Sequence, residues 1–292
     1  MKPAPFTYHA PSTVPEVLQT LTECAPEGGR ILAGGQSLVP LLNFRLAQAE
    51  HLVDINRVGE LDYVRVDDGH LVVGARARQA RVEHDHEVRR QAPLLAEALK
   101  LVAHPPIRHR GTICGSLAHA DPAAELPAVA LAMGGELLAA SSRGERRIPL
   151  ANFFAGPYST ALEADELLLE ARLRLWPPGT GHAVVETRRT HGNFAVVGAF
   201  ALVRPEDGRV AECAVAISGA GPTPVRASEV EQRLAGQELR GEVLAEAAEA
   251  AAAGLQPASD IHGTSAYRRK LATVNVRRAL ELAVERAERG GS

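Results

Sequence analysis

Two stretches of small residues have the composition of a ligand cradle. Arg30 to Leu38 reads RILAGGQSL, and Gly111 to Ala120 reads GTICGSLAHA. Glycines and serines that follow a strand leave main-chain N–H groups uncovered, so an electron-rich ligand can come within hydrogen-bond distance of the backbone itself. Ser37, Thr112 and Ser116 add hydroxyl donors. Two such places in one chain suggest one ligand gripped twice. Two better-known phosphate signatures do not fit. No GK[ST] follows either stretch, as a Walker A loop requires, and neither spells GxGxxG. A third glycine cluster, SGAGPTP around Gly219, runs into prolines where a helix should start.

Metal chemistry has little support in the spacing. Cys24, Cys114 and Cys213 lie far apart and form no CxxC pair, zinc pattern or iron–sulfur run. His104, His109 and His119, with His84 and His86 upstream, match neither HExxH nor a finger. They read as solvated or backbone-bonded loop histidines, and no metal site is expected.

The cradle stretches need elements to hold them. PEVLQTLTECAPEGG (Pro15 to Gly29) predicts a short helix ended by glycine, and RILAGG a strand running into the first loop. SLVPLLNFRLA follows as a helical turn, and EHLVDI returns as a strand, which makes a small βαβ-like unit. From Val58 the pattern changes to short strands, including HLVVGARAR (His70 to Arg78) and a hairpin from Glu136 to Leu150 with SSRG at its turn. Between them lie an apolar helix, Ala92 to Ala103, and the second loop. That loop is expected to close onto a helix capped by Asp121, with Pro122 at its first position and Gly134 and Gly135 at its end.

The Pro/Gly cluster from Pro177 to Gly181 marks an expected boundary. Beyond it AVVETRR, FAVVGAFALV and VAECAVAISGA read as three strands, with PEDG turning between the last two. Helical stretches then begin near Ser228, Gly241 and Ser265. The expected fold is α+β: residues 1–177 with subdomains of about 1–57 and 58–177, then residues 178–292 as a three-stranded sheet backed by helices.

Composition limits the function. The 292 residues are 46% hydrophobic and 23% charged, enough for a sizeable core and two domains. Only 4% are aromatic, and 32 basic against 35 acidic residues give a net charge of −3, so no nucleic-acid partner is expected. MKPAPFTYHA contains no apolar signal core, and no stretch approaches the apolar length of a membrane span. A cytoplasmic protein is expected.

Several motifs together carry a family resemblance. ILAGGQSLVPLLNFRLA, LVDIN, GTICGSLAHADPAAELPAV, ELLLEARL, RRTHGNFAVVGA and YRRKLATVNVRRAL resemble, in order and over essentially the whole chain, the FAD-binding medium subunit of bacterial molybdenum hydroxylases. The relatives are the flavoprotein subunits of carbon monoxide, xanthine and nicotine-type dehydrogenases. The resemblance implies that Leu32, Ala33, Gly34, Gly35, Gln36, Ser37 and Leu38 wrap the pyrophosphate of a non-covalent FAD through backbone N–H groups. It implies that Thr112, Ile113, Cys114, Gly115 and Ser116 hold the same diphosphate from the other side. Glu125 matches an acidic position that contacts the polar chain of the flavin. Val102 and Leu168 fall where the family packs apolar atoms against it, and both also read as ordinary core residues. His119 and Asp121 flank the site.

The chain also departs from the family pattern. Cys114–Gly115 stands where relatives often have Gly–Gly, and Cys114 can pack there as a small apolar residue. Glu186 and Asn193 stand where relatives commonly have lysine and aspartate. Arg188, Arg189 or His191 is then left to supply positive charge near the flavin N1 and C2 carbonyl.

The implied function is an electron relay. Substrate is hydroxylated on a large molybdenum-cofactor subunit, and electrons pass through [2Fe–2S] clusters on a small subunit to FAD. From there they go to NAD, a quinone, oxygen or another acceptor, in an assembly that is often a dimer of heterotrimers. Molybdopterin and clusters belong to the partners, and no catalytic residue is expected here. A stand-alone FAD oxidase or reductase, a flavin-free scaffold and a nicotinamide-dependent enzyme are the alternatives. The missing fingerprint counts against the last.

Overall fold

The computed structural model describes residues 2–290. The βαβ-like unit forms as expected. Gly29–Leu32 and His51–Asp54 pair in parallel, with helix Leu38–Asn43 between them, and Thr7–His9 adds a third parallel strand on the other side of His51–Asp54. Helix Val14–Cys24 buries Val17, Leu21 and Cys24. The Thr13 hydroxyl accepts from the Glu16 N–H, and the Glu16 carboxylate accepts from the Ser12 N–H at 2.7 Å, a reciprocal cap. Gly28, at φ +80°, ends the following turn in the left-handed region that glycine tolerates.

The second unit is a five-stranded antiparallel sheet in the order Val64–Asp67, His70–Gly74, Leu167–Arg174, Gly135–Ser141, Gly144–Pro149. Asp68–Gly69 turns the first hairpin with both residues at positive φ, and Ser142–Arg143 turns the last. Helix Glu125–Met133 packs beside this sheet, and helix Pro93–Leu99 packs on that helix and on strand Gly181–Thr187. Every residue of Glu125–Met133 is buried, because the helix also packs against strands of the C-terminal sheet. A helix apolar on all sides requires such surroundings.

The C-terminal sheet runs Gly181–Thr187, Val197–Glu206, Arg209–Ser218 and Val225–Arg226, all antiparallel. The first three were expected, and the fourth is a two-residue edge strand directly after Pro224. PEDG makes the expected turn, with Asp207 at φ +50° and Gly208 at φ +73°. Alternate residues face opposite ways. Ala183, Val197, Ala199, Ala201, Val215 and Ile217 join a core with the C-terminal helices. Val184, Phe200, Leu202, Ala214 and Ala216 join the core of the N-terminal part. The helices start where expected, at Ser228, Gly241 and Ser265, and the last runs to Gly290. Its fully buried Asn275 donates to the Val197 carbonyl at 2.9 Å and accepts from the Thr187 hydroxyl at 3.1 Å.

Three local expectations are corrected. The helix expected from Ala92 to Ala103 is confined to Pro93–Leu99, and Ala103 turns out of it at φ +42°. The second cradle stretch is a helix start, not a loop: Ile113–His119 is helical, with the Thr112 hydroxyl accepting from the Gly115 N–H at 3.0 Å. Asp121 does not cap the next helix. Ala120, at φ +50°, ends the preceding one, and Asp121 spends its carboxylate on the Ala123 N–H at 2.9 Å in a tight turn. Helix Glu125–Met133 then begins after Ala124 without a side-chain cap. No helix among the described residues is long and apolar enough to cross a membrane.

Candidate functional site

The two cradle stretches are in contact. A Cβ on Gly34 would lie 2.7 Å from the Gly111 Cα and would strike the Arg110 carbonyl oxygen, while a Cβ on Gly115 would lie 3.7 Å from that of Ala33. Only glycine lets these two backbones approach so closely. Gly35, at φ +73°, makes the turn that sends the chain into helix Leu38–Asn43. Among the described residues, the N–H groups of Gly34, Gly35, Gln36, Ser37 and Leu38 donate to no other group of the chain. The Gln36 side chain donates to the Gly34 carbonyl at 3.1 Å. Five consecutive free amides form a nest of partial positive charge suited to anionic oxygens.

Residues outside both stretches hold them together. Asn56 donates to the Ala33 carbonyl at 2.9 Å, and Arg78 donates both to Asn56 and to the Arg110 carbonyl oxygen. Arg78 also pairs with Thr112 through a short backbone bridge. Burial, then Arg110 and Arg76 nearby, holds the pKa of Arg78 below the usual arginine value. Asn56 lies within the LVDIN motif, so a signal for it was present. Arg78 is one arginine among many, and only the tertiary structure selects it.

The side chains of Ile113 and Cys114 turn inward. Both are buried, and the Cys114 thiol donates to the Val73 carbonyl at 3.4 Å, with burial pushing its pKa up to about 12. Cys114 therefore packs as a small apolar residue, as expected, and it is no thiolate. Val102 is half-buried against the N-terminal core, and Arg108, in a buried ion pair with Glu83 at 2.8 Å, donates to its carbonyl at 2.9 Å. Leu168 is fully inside that core. Leu32, Ala33, Gly115 and Ser116 remain partly exposed.

A second group lies where the C-terminal sheet meets the N-terminal part. Glu125 is buried at the first position of its helix, and burial pushes its pKa up to about 7. Glu186, on strand Gly181–Thr187, has a side chain only 2% exposed. Its pKa is pushed up to about 8 by burial and then by Glu125, with Arg188 opposing. Arg188 Nη1 is 3.6 Å from Glu186 and donates to the Leu101 carbonyl at 3.3 Å. Arg188, not Arg189, is thus the arginine at this junction, since Arg189 is exposed. His191 stacks on His104 at 5.7 Å between ring centres, and Asn193 is exposed. Asp121 sits with His119 and Tyr158, whose rings are 5.2 Å apart, and burial holds the pKa of His119 below its usual value. Among the described residues, no cluster of three or more His, Cys, Asp or Glu side chains could hold a metal ion.

A backbone nest of free amides beside a helix start, set in an α+β fold, has the geometry to receive anionic oxygens through the main chain. Residues 4–175 match the family described as the FAD binding domain in molybdopterin dehydrogenase, and residues 182–283 match the CO dehydrogenase flavoprotein C-terminal domain. The chain is 40% identical over 288 residues to the 6-hydroxypseudooxynicotine dehydrogenase complex subunit alpha of Paenarthrobacter nicotinovorans, covering 98% of this chain and 97% of that one. It matches the structure of carbon monoxide dehydrogenase from Hydrogenophaga pseudoflava with a TM-score of 0.95 at 37% identity, over 98% of this chain and 99% of that one. Quinoline 2-oxidoreductase from Pseudomonas putida 86 matches with a TM-score of 0.92 at 36% identity, over the full length of both chains. The chain belongs to the family of FAD-binding subunits of molybdenum-containing dehydrogenases.

Proposed function

We propose that this chain carries electrons from iron–sulfur clusters on a small partner subunit to an external acceptor, within a complex whose large subunit holds the molybdenum cofactor. In this reading residues 1–177 hold FAD, residues 178–292 close over it, and the assembly is a dimer of such three-subunit units. The observation that carries the reading is the row of free amides from Gly34 to Leu38 facing a helix start at Thr112. Those amides bind the diphosphate, Gly34 and Gly115 let the two stretches approach each other, and the Asn56–Arg78 bridge fixes the spacing between the two grips. Glu125, Val102 and Leu168 lie further along the bound molecule. Bound FAD supplies the one- and two-electron chemistry, so no protein group has to act as an acid or base on an organic substrate.

Acid precipitation of the purified protein should release equimolar FAD into the supernatant, and the subunits that co-purify should contain molybdenum and iron. FMN in the supernatant, or yellow colour held in the pellet, would overturn the cofactor assignment.

A further inference from the structure

Arg78 belongs to a crowd of cations. After burial, the nearness of Arg110 and Arg76 is what lowers its pKa, and the acids acting on it are Asp62 and Asp54. Neither acid is reserved for Arg78. Asp62 is shared between Arg81 at 2.8 Å and Arg76 at 3.4 Å, and Asp54 accepts from the Tyr8 hydroxyl and from Asn56. The acids that follow in the chain are also committed: Glu83 to Arg108, Asp85 to the Glu87 and Val88 N–H groups, and Glu87 to Arg90. Like charges held together without matching counter-charges repel one another, and the field they leave favours an anion.

The same cations line a hollow. Arg78, Ala80, Arg81, His84 and His109 surround an open space of about 500 Å³, within the range of about 300–1,000 Å³ usual for small-molecule sites. Arg81 uses only Nη1, on Asp62. The His84 Nδ1–H donates to the Ala80 carbonyl at 2.8 Å, which leaves its Nε2 without a partner, and the exposed His109 has no partner among the described residues. None of the lining residues belongs to either cradle stretch. The hollow and the second stretch are joined along Arg110–Thr112, where Arg78 bonds to the Arg110 carbonyl and bridges to Thr112, and the Gln79 N–H donates to the Gly111 carbonyl at 2.8 Å.

This set of groups suits one kind of anion. A guanidinium fork binds two oxygens of a phosphate at once, and a phosphate ester, with its second pKa of about 6, meets an imidazole nitrogen either as acceptor or as donor. We propose that the hollow is a second anion site, separate from the cradle, that receives a phosphate group, either free or at the end of a small phosphate ester. Arg78 and Arg81 supply the fixed positive charge, and His84 and His109 supply ring nitrogens for the remaining oxygens. The proposal does not rest on the FAD reading.

Isothermal titration calorimetry of the full chain tests it, with saturating FAD present to keep the cradle occupied and with ionic strength held constant by chloride. Inorganic phosphate should give one saturable phase with a dissociation constant of about 1 mM or tighter. The double variant Arg81→Gln, His109→Ala should bind it at least about tenfold more weakly, with circular dichroism confirming the fold. Arg90→Gln, which removes a like charge from an exposed pair on the next helix, should leave binding unchanged. Adenosine monophosphate distinguishes the sources: comparable or tighter binding identifies an ester, and its exclusion while phosphate binds identifies the free ion. Absence of saturation, displacement of phosphate by FAD, or an equal loss in Arg90→Gln overturns the proposal. So does a double variant that binds phosphate normally but no longer holds a partner subunit, since the face is then a contact for an acidic protein surface. A chain that takes up no FAD overturns the earlier reading and not this one.

Discussion

Gly34 and Gly111 meet backbone to backbone: a Cβ on the first would sit 2.7 Å from the Cα of the second. Neither neighbour is a flexible side-chain end, so a methyl group there has to push the two grips apart. Gly34→Ala should weaken FAD binding by at least about tenfold, a loss of about 1.4 kcal/mol or more from overpacking at the cradle. FAD absorbance per chain after gel filtration measures it. Normal flavin content would show that the contact between the two stretches does not matter to the ligand.

Gly35 poses a different constraint, one of backbone angle. At φ +73° a side chain costs about 1 kcal/mol before any contact, and a Cβ would also lie 3.2 Å from both Leu32 and Val39. Gly35→Val should therefore lose FAD with little change in far-ultraviolet circular dichroism. Full retention of FAD would move the diphosphate away from this turn.

Asn56→Ala removes the donor to the Ala33 carbonyl and one of the two acceptors of the Arg78 guanidinium. The expected cost is about 1–3 kcal/mol, seen as a lower melting temperature. Because the bridge sets the spacing of the cradle, saturating FAD should recover less stability in the variant than in the unaltered protein. Equal recovery in both would reduce Asn56 to a purely structural role.

Glu186 also links stability to pH in the apoprotein. Its pKa is raised on folding, so its neutral form favours the native state at low pH, and that advantage is lost as pH rises from the ordinary carboxyl value through about 8. Glu186→Gln should leave the melting temperature nearly unchanged near pH 4 and raise it relative to the unaltered protein in mild alkali. A gain of the same size at both extremes would mean that ionisation of Glu186 plays no part.

The chain alone, loaded with FAD, should not be bleached anaerobically by a purine, aldehyde, N-heterocycle or carbon monoxide. A [2Fe–2S] centre in its usual form takes four thiolates. The three cysteines here are all buried, Cys24 and Cys114 in one core and Cys213 in the other. Adding the cognate molybdenum and iron–sulfur subunits should make bleaching depend on substrate. Bleaching of the isolated chain would favour a stand-alone oxidase.

The sequence made strands and hairpins legible where the determinants are local. Asp207–Gly208 forces its turn whatever surrounds it, and the alternating apolar residues that follow have one sensible pairing. It made the cradle legible as small residues after a strand. It misled at Thr112 to Ser116, where glycine and serine suggested a loop and the Thr112 cap makes a helix instead. Asp121 was ambiguous for a related reason: an aspartate before proline serves an isolated turn as well as a helix cap, and the left-handed Ala120 decides between them. The place of Arg78 and the burial of Glu186 beside Glu125 depend on which surfaces meet across the fold, and no local pattern records that.

The C-terminal sheet, with one face in each core, has a thermal consequence. Strand Val197–Glu206 places Ala199 and Ala201 in one core and Phe200 and Leu202 in the other, so neither half can melt without exposing apolar surface that belongs to its neighbour. The protein should therefore unfold as one cooperative unit, giving a single calorimetric endotherm despite its two-part organisation. Ligand bound on the N-terminal side then protects the distant last helix as well, and hydrogen exchange in Ser265–Gly290 should slow when the cradle is filled.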